Sequence, residues 1–598
     1  MDVLQKIGIG FVVIAISIFT LSLGLGKYQL EESLFAEENA IVSNQYHRGE
    51  IFAAAKARHM IGREYTSNIQ FISEYKRVIK EAQASLAAQE IPEGVDEWTF
   101  KMGDGYIKSY VQAAVKASGY GMVKDNKWTF FLLTVGLGLL GGLLYILPKF
   151  MTIPGIKHDH IYHNPMTRGL KLTWRSAFLG VGIVGILVYG FFNVGNLFWP
   201  ILSAIIAGLI IYMVFFKEQQ KYLDPAKSAS PRDTAWLGII TGTYLITFYV
   251  LLYWSPEYIY NWVQIVDPVS VLLNGNPASR WFLYGLLYTL IIIVMGVRMI
   301  AKYRHNKYQI VRTLSVIFFQ TAFAFLIPEI LTRLNQPSMD FKNIWPLNYS
   351  FFFDYNLDKL LDSGTLGLFM LVWGIALIFL AVPLITYFYG KRWYCSWVCG
   401  CGGLAETLGD PYRQISDKSL RAWKFERWII HGVLVFSIVM TALVLYTYFT
   451  GSSRVLFLDT YGVRGWYGFF IGAGFSGVVG TGFYPLMGNR VWCRFGCPLA
   501  AYLGLVQKFR SRFRITTNGG QCISCGNCST YCEMGIDVRA YAQRGQDILR
   551  TSCVGCGVCA AVCPRGVLRL ENATADIEER TTHLRTIHVT KEEVALLV

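Results

Sequence analysis

About ten stretches of about 20 apolar residues, each long enough to cross a bilayer, leave this chain few folds to choose from. They run roughly over 8–25, 129–147, 176–193, 198–216, 235–254, 281–300, 311–331, 366–389, 428–449 and 466–486. Inside lipid every backbone N–H and C=O has to be bonded within its own segment, which makes each stretch a helix. The rest of the chain does not restore a soluble balance, since 53% of its 598 residues are hydrophobic and only 16% are charged. The expected fold is mainly α, a polytopic transmembrane helix bundle of about ten spans.

The net charge of +15 does not point to nucleic acid, because the bases sit beside the ends of spans. Lys149, Lys157, Arg168, Lys171 and Arg175 fill one loop, and Lys302, Arg304, Lys307 and Arg312 another. Lys391, Arg392, Lys424 and Arg427 flank a third, while Arg490, Arg494, Lys508, Arg510, Arg512 and Arg514 follow the last span. The positive-inside rule assigns all four to the cytoplasm. An even number of spans returns both termini there, in a bacterial inner membrane. The first span, residues 1–26, is expected to stay as an uncleaved anchor, because no small-residue cleavage site follows it. Every cysteine lies between 395 and 563, on segments expected in the cytoplasm, where thiols stay reduced.

Eight of the 13 cysteines write one pattern twice. Cys522, Cys525, Cys528 and Cys532 form a C-x2-C-x2-C-x3-C run, and Cys553, Cys556, Cys559 and Cys563, followed by Pro564, form a second. This is the ligand spacing of two [4Fe-4S] clusters, in which the fourth cysteine of each run crosses to the other cluster. The expected sets are Cys522, Cys525, Cys528 and Cys563 for one and Cys532, Cys553, Cys556 and Cys559 for the other. A pair of structural zinc ribbons is the alternative. Gly526, Gly557 and Gly566 let the backbone turn tightly around such a centre.

A second repeat lies upstream. Cys395 and Cys399 follow one span and Cys493 and Cys497 another, each C-x3-C pair preceded by bases and aromatic residues. Residues four apart share one face of a helical turn, so the two loops together could gather four thiolates into a third centre. Lys391, Arg392, Arg490 and Arg494 would lower the thiol pKa values there. Reduced thiols with a redox or copper-handling role remain the other reading, and Cys401 is an extra thiol. His431 is the histidine within an apolar stretch and a candidate proton acceptor for a bound quinone; the plainer reading has it bonded to a helix carbonyl. Glu406 and Asp410 read as helix caps at the interface, with help in proton transfer as the other reading. His158, His160 and His163 are expected on a solvated basic loop. The outward segment 27–127 reads as two or three amphipathic helices broken near residues 91–94, with His47 and His59 on its surface. It has no cysteine and hence no c-type haem site.

Span, C-x3-C loop, span pair, second C-x3-C-P loop and two-cluster tail, over about residues 365–565, resemble the membrane polyferredoxins of the NapH and NosR type. A more distant branch, of the CcoG and FixG kind, is implicated in copper handling. The resemblance implies a quinol-linked electron conduit that docks on a redox complex. Three departures stand out: Gly400 replaces the usual proline, the six upstream spans are not part of the short NapH pattern, and Asp104-Gly105-Tyr106-Ile107 diverges from the motif that attaches covalent flavin. The expected organisation is an anchor (1–26), an extracytoplasmic helical domain (27–127), a six-span region (128–364), a membrane region with the two C-x3-C loops (365–515), a small α+β two-cluster ferredoxin domain (516–570) and a tail (571–598). Function is expected to be electron transfer between the quinol/quinone pool or a cytoplasmic donor and a membrane or extracytoplasmic partner. A copper-reducing assembly factor and a redox-sensing regulator are the alternatives.

Overall fold

The computed structural model describes residues 3–37, 40–92, 94–151, 232–390, 392–456, 458–511, 513–518, 522–572, 586–589 and 594–597. The expected spans at 176–193 and 198–216 and the histidines His158, His160 and His163 lie outside the described residues. Six helices among the described residues are long and apolar enough to cross a bilayer: Val3–Gly24, Lys127–Phe150, Arg280–Tyr303, Lys307–Arg333, Gly364–Tyr389 and Leu420–Thr450. They make the chain a mainly helical membrane protein with a few small sheets. The stretch 235–254 is helical as part of Arg232–Trp254. The stretch 466–486 is helical from Thr460 through the widened turns of Gly468–Val479 as far as Gly482, and a short helix, Tyr484–Met487, follows; it is not among the six. Recurrent glycines explain this, since each adds backbone freedom and no apolar surface.

The chain divides into two compact units. In the first, the Val3–Gly24 and Lys127–Phe150 helices cross backbone to backbone. A Cβ on Gly8 would lie 2.6 Å from the Gly141 carbonyl, and one on Gly141 would lie 2.7 Å from the Gly8 carbonyl. Small residues at a crossing let membrane helices gain van der Waals contact that larger side chains forbid. Between these helices come Gln45–Ala57, Asn68–Ala88 and Asp104–Ser118. Phe71, Ile72, Tyr75, Val78, Ile79, Ala82 and Leu86 make one buried face of the second, the three-to-four spacing expected of an amphipathic helix. A three-stranded antiparallel sheet pairs Tyr28 with Tyr65 and Lys27 with Tyr120. His47 is not on the surface. It is fully buried, its Nδ1 2.9 Å from the Tyr110 hydroxyl and its Nε2 3.0 Å from the Phe100 carbonyl, because two polar partners offset the cost of its burial. His59 is exposed, on a left-handed turn.

In the second unit, the membrane helices lead into a module closed by a two-stranded antiparallel sheet. Phe513–Thr517 pairs with Leu568–Asn572, with Ile515 opposite Leu570, so the sheet brackets both cysteine runs. Three short helices, Asn527–Thr530, Val538–Gln543 and Val558–Ala561, fill the space between. Met299 and Tyr303, at the end of one membrane helix, pack on Val558 and Val562.

Candidate metal centres

The two C-x2-C-x2-C-x3-C runs adopt the same local form. In each, a glycine with left-handed backbone, Gly526 at φ +79° or Gly557 at φ +70°, starts a one-turn helix that carries the third cysteine. A side chain there would strain the turn. Cys522, Cys525, Cys528 and Cys563 line one cavity with Ile523, Pro564 and Val567. Cys532 leaves its own run for the second: Cys553 acts on its thiol, and the Cys559 thiol feels Cys556, Cys553 and Cys532 ahead of Cys528. Burial pushes Cys528 and Cys556 up to about 12 and Cys532 to about 11, the last restrained by the amide N–H groups of Ile536 and Met534. Thiolates in such surroundings need a cationic partner, which iron supplies. Among the described residues, no group of three or more His, Cys, Asp or Glu side chains closes tightly enough to hold a single metal ion.

The C-x3-C loops also converge. Cys395 lies in the short Trp393–Trp397 helix and Cys399 caps Gly400–Thr407; Cys493 lies in the Trp492–Gly496 turn and Cys497 caps Pro498–Arg510. All four are buried. The Cys497 thiol is raised by burial and then by Cys395, Cys493 and Cys399. Gly402 permits this approach, because a Cβ there would lie 1.8 Å from the Cys395 carbonyl and 2.9 Å from Arg490 Nη1. Burial keeps Cys395 and Cys493 above the ordinary thiol value despite the neighbouring bases. Cys399 alone is held low, at about 6, first by a hydrogen bond from Cys401 and, against burial, by Lys342 and the N–H groups of Gly402 and Cys401. Cys401 therefore serves as a donor to Cys399. Lys391 lies outside the described residues, and Arg494 turns away from the thiols to pair with Glu426 at 2.7 Å.

A buried charge network joins this site to the ferredoxin module. Glu406 pairs with both Arg312 and Arg490, and Arg490 reaches Glu533 at 3.0 Å. Arg413 bridges Glu533 at 2.8 Å and Asp410 at 3.0 Å, and Asp410 also meets Lys302 at 2.8 Å and Arg298 at 3.3 Å. Glu406 and Asp410 are thus interior ion-pair partners, not interfacial caps. Arg312 and Arg490, expected on cytoplasmic loops, are fully buried, and Arg392 is nearly so, because carboxylates and carbonyls distant in sequence compensate them. Five bases face three carboxylates, a surplus of two positive charges that thiolate-bound centres on either side would neutralise. Burial pushes Glu533 up, but Arg413, Arg490 and Arg312 outweigh it and hold its carboxyl at about 2.

Arg490 is the joint. Its Nη1 lies 3.1 Å from the Cys395 carbonyl and 3.7 Å from Cys493 Sγ, while its Nη2 binds the carboxylate of Glu533, the residue after Cys532. Arg392 donates to the Cys493 carbonyl at 3.2 Å. The second ferredoxin run is seated by Gln309 on the Cys556 carbonyl at 2.7 Å, Tyr308 on Gly555 at 2.9 Å and Ser396 on Val554 at 3.1 Å. The three cysteine sets therefore follow one another: the C-x3-C thiols, then Cys532, Cys553, Cys556 and Cys559, then Cys522, Cys525, Cys528 and Cys563. His431 stands apart, its Nδ1 2.6 Å from the Arg427 carbonyl one turn back in its own helix, the plainer of its two expected roles.

A 4Fe-4S binding domain matches residues 371–422 and 467–516, which contain both C-x3-C loops, and a 4Fe-4S dicluster domain matches 514–564, which contains both longer runs. This is an iron–sulfur membrane protein. The curated protein named "Putative electron transport protein YccM", of Escherichia coli (strain K12), is 27% identical over 177 residues, which cover 27% of this chain and 47% of that protein. The chain thus spans about half the length of the relative it matches. No solved structure matches. Both cysteine repeats thus fall within 4Fe-4S binding domains, and the relative that shares this part of the chain is named for electron transport.

Proposed function

We propose that the chain is a membrane electron conduit of the NapH and NosR type, a bundle of about ten spans in which three iron–sulfur centres stand in line. The observation that carries this reading is the Arg490 bridge, one guanidinium touching Cys493 and Cys395 on one side and Glu533, beside Cys532, on the other. Bound [4Fe-4S] clusters supply one-electron carriers whose potentials the surroundings tune. The chain's own residues hold the thiolates, keep water out and fix the compensating charge. Cys522, Cys525, Cys528 and Cys563 would hold the outermost cluster, Cys532, Cys553, Cys556 and Cys559 the middle one, and Cys395, Cys399, Cys493 and Cys497 the one nearest the membrane. Electrons would pass between the quinol pool or a cytoplasmic donor and a membrane or extracytoplasmic partner, with both termini and the clusters in the cytoplasm of a bacterial inner membrane.

The low pKa of Cys399 beside Cys401 favours a second reading, in which the C-x3-C loops stay free of iron and act as copper-handling thiols. Quinol-driven bleaching of the iron–sulfur absorbance in the purified full-length protein separates the two. The conduit predicts bleaching that Cys493→Ser abolishes; no reduction by any of several quinols, with copper bound at the loops, contradicts it.

A further inference from the structure

The segment between the Lys307–Arg333 and Gly364–Tyr389 helices has no regular helix or strand from 336 to 353. Both of its ends attach to helix ends remote from the cysteines, since Tyr308 and Gln309 at the start of the first helix seat the ferredoxin loops and the second helix runs toward Cys395. A connection of this kind would ordinarily stay at the far face. This one does not. Phe351 packs on Gly374, where a Cβ would lie 2.3 Å from its ring, and Trp373 Nε1 donates to the Phe341 carbonyl at 2.9 Å. Trp345 Nε1 donates to Thr441, inside the Leu420–Thr450 helix, at 2.9 Å. Ile344 shares a buried apolar cluster with Ile378, Val382, Cys395 and Cys399, and the Tyr394 hydroxyl donates to the Lys342 carbonyl. At 1.5 Å per residue Gly374 lies about 15 Å along its helix from Gly364, and Tyr394, which holds Lys342, lies beyond the far end of that helix, so the segment descends from one end of the span toward the other.

Irregular backbone at membrane depth is tolerated where protein covers it, and an ionisable side chain there needs a reason. Lys342 is such a group. Its side chain is only 9% exposed, and its ion-pair partner is Asp340, two residues away and itself 22% exposed. We propose that residues 336–353 are a re-entrant loop that enters from the face opposite the cysteines and holds the Lys342 ammonium, anchored by Asp340, as a fixed cation beside the C-x3-C thiols. This rests on the reading of those thiols as a redox centre. Each electron residing there adds one negative charge, and no bond forms or breaks. A nearby fixed cation in a water-poor site stabilises that state far more than one in water. Lys342 is therefore a positioning residue that sets the potential of the membrane centre.

The test is a redox titration of the full-length protein, following by EPR the signal that Cys493→Ser removes. Lys342→Met is expected to shift the midpoint of that signal to a lower potential while leaving the other iron–sulfur signals in place, and Lys342→Arg to return it toward the parent value. An unshifted midpoint in Lys342→Met overturns the cation's role. Hydrogen exchange on the parent protein reads the loop itself: amides of 338–347 are expected to be as protected as those of the Gly364–Tyr389 helix, and exchange at the rate of a surface loop overturns the re-entrant path. If Cys493→Ser removes no signal, the membrane centre has failed and the cation's role falls with it, while hydrogen exchange still decides the loop.

Discussion

Arg490 has five donors in a rigid fork, and its neighbours use that geometry: a thiol and a carbonyl on one arm, two carboxylates on the other. Arg490→Met removes one of the two bases paired with Glu406 and one of the two paired with Glu533 and leaves their facing oxygens buried without that donor, which costs about 1–3 kcal/mol. The expected readout is a lower thermal midpoint for loss of the iron–sulfur absorbance. Arg490→Lys, a point charge that cannot span both sides, should recover less than half of the loss. Cys401 gives a complementary prediction. Because it donates to Cys399 instead of completing a set, Cys401→Ser keeps a donor in place and leaves the iron content unchanged, whereas Cys399→Ser lowers it. Little of this was legible in the sequence. Arg312 reads as a topology signal and Arg490 as a base beside the thiols, and their carboxylate partners are distant: Glu406 lies 94 positions from Arg312 and 84 from Arg490, and Glu533 lies 43 from Arg490. The trace that could have exposed them is the placing of Glu406, Asp410 and Glu533 within eleven residues of cysteines expected to bind metal.

At the scale of elements, spacing was legible where covalent offsets decide the geometry. The crossing of Cys532 and Cys563 between sets follows from C-x2-C-x2-C-x3-C itself, as does the paired form of the Gly526 and Gly557 turns. Six spans were legible as long apolar runs, and 466–486 is helical as far as Gly482 but stays outside those six, its glycines adding length without apolar surface. His47 was misread for another reason: its partners Phe100 and Tyr110 come from elements 53 and 63 residues away. Burial lowers its pKa, so the neutral ring belongs to the folded state and protonation opposes folding. Stability of the Gln45–Ala57 helix is therefore complete above the free imidazole value near 6.5 and declines as pH falls below it, by at most about 1.4 kcal/mol per pH unit. Hydrogen exchange of that helix, corrected for intrinsic rates, should show more opening at about pH 5.5 than at about pH 7.5, and His47→Gln should flatten the difference. A pH-independent exchange in the parent protein would contradict this. The crossing of Gly8 and Gly141 predicts that Gly141→Leu, which would drive a side chain into the Gly8 backbone, lowers the thermal midpoint of the full-length chain.

At the scale of the whole molecule, length and hydropathy announced a membrane protein and cysteine spacing announced iron. What the sequence left open was whether four cysteines split between residues 395–399 and 493–497 form one site, and what links that site to the ferredoxin module. The thiols converge around Gly402, and Cys395, Cys399, Cys493 and Cys497 lie with Cys528, Cys553 and Cys559 in one buried cluster. The most direct measurement is iron and acid-labile sulfide per chain in anaerobically purified full-length protein, alongside the Cys493→Ser variant. Three four-iron centres predict about twelve of each, falling to about eight in the variant. About eight in both would contradict the membrane centre, and zinc in place of iron at the ferredoxin cysteines would contradict the account as a whole.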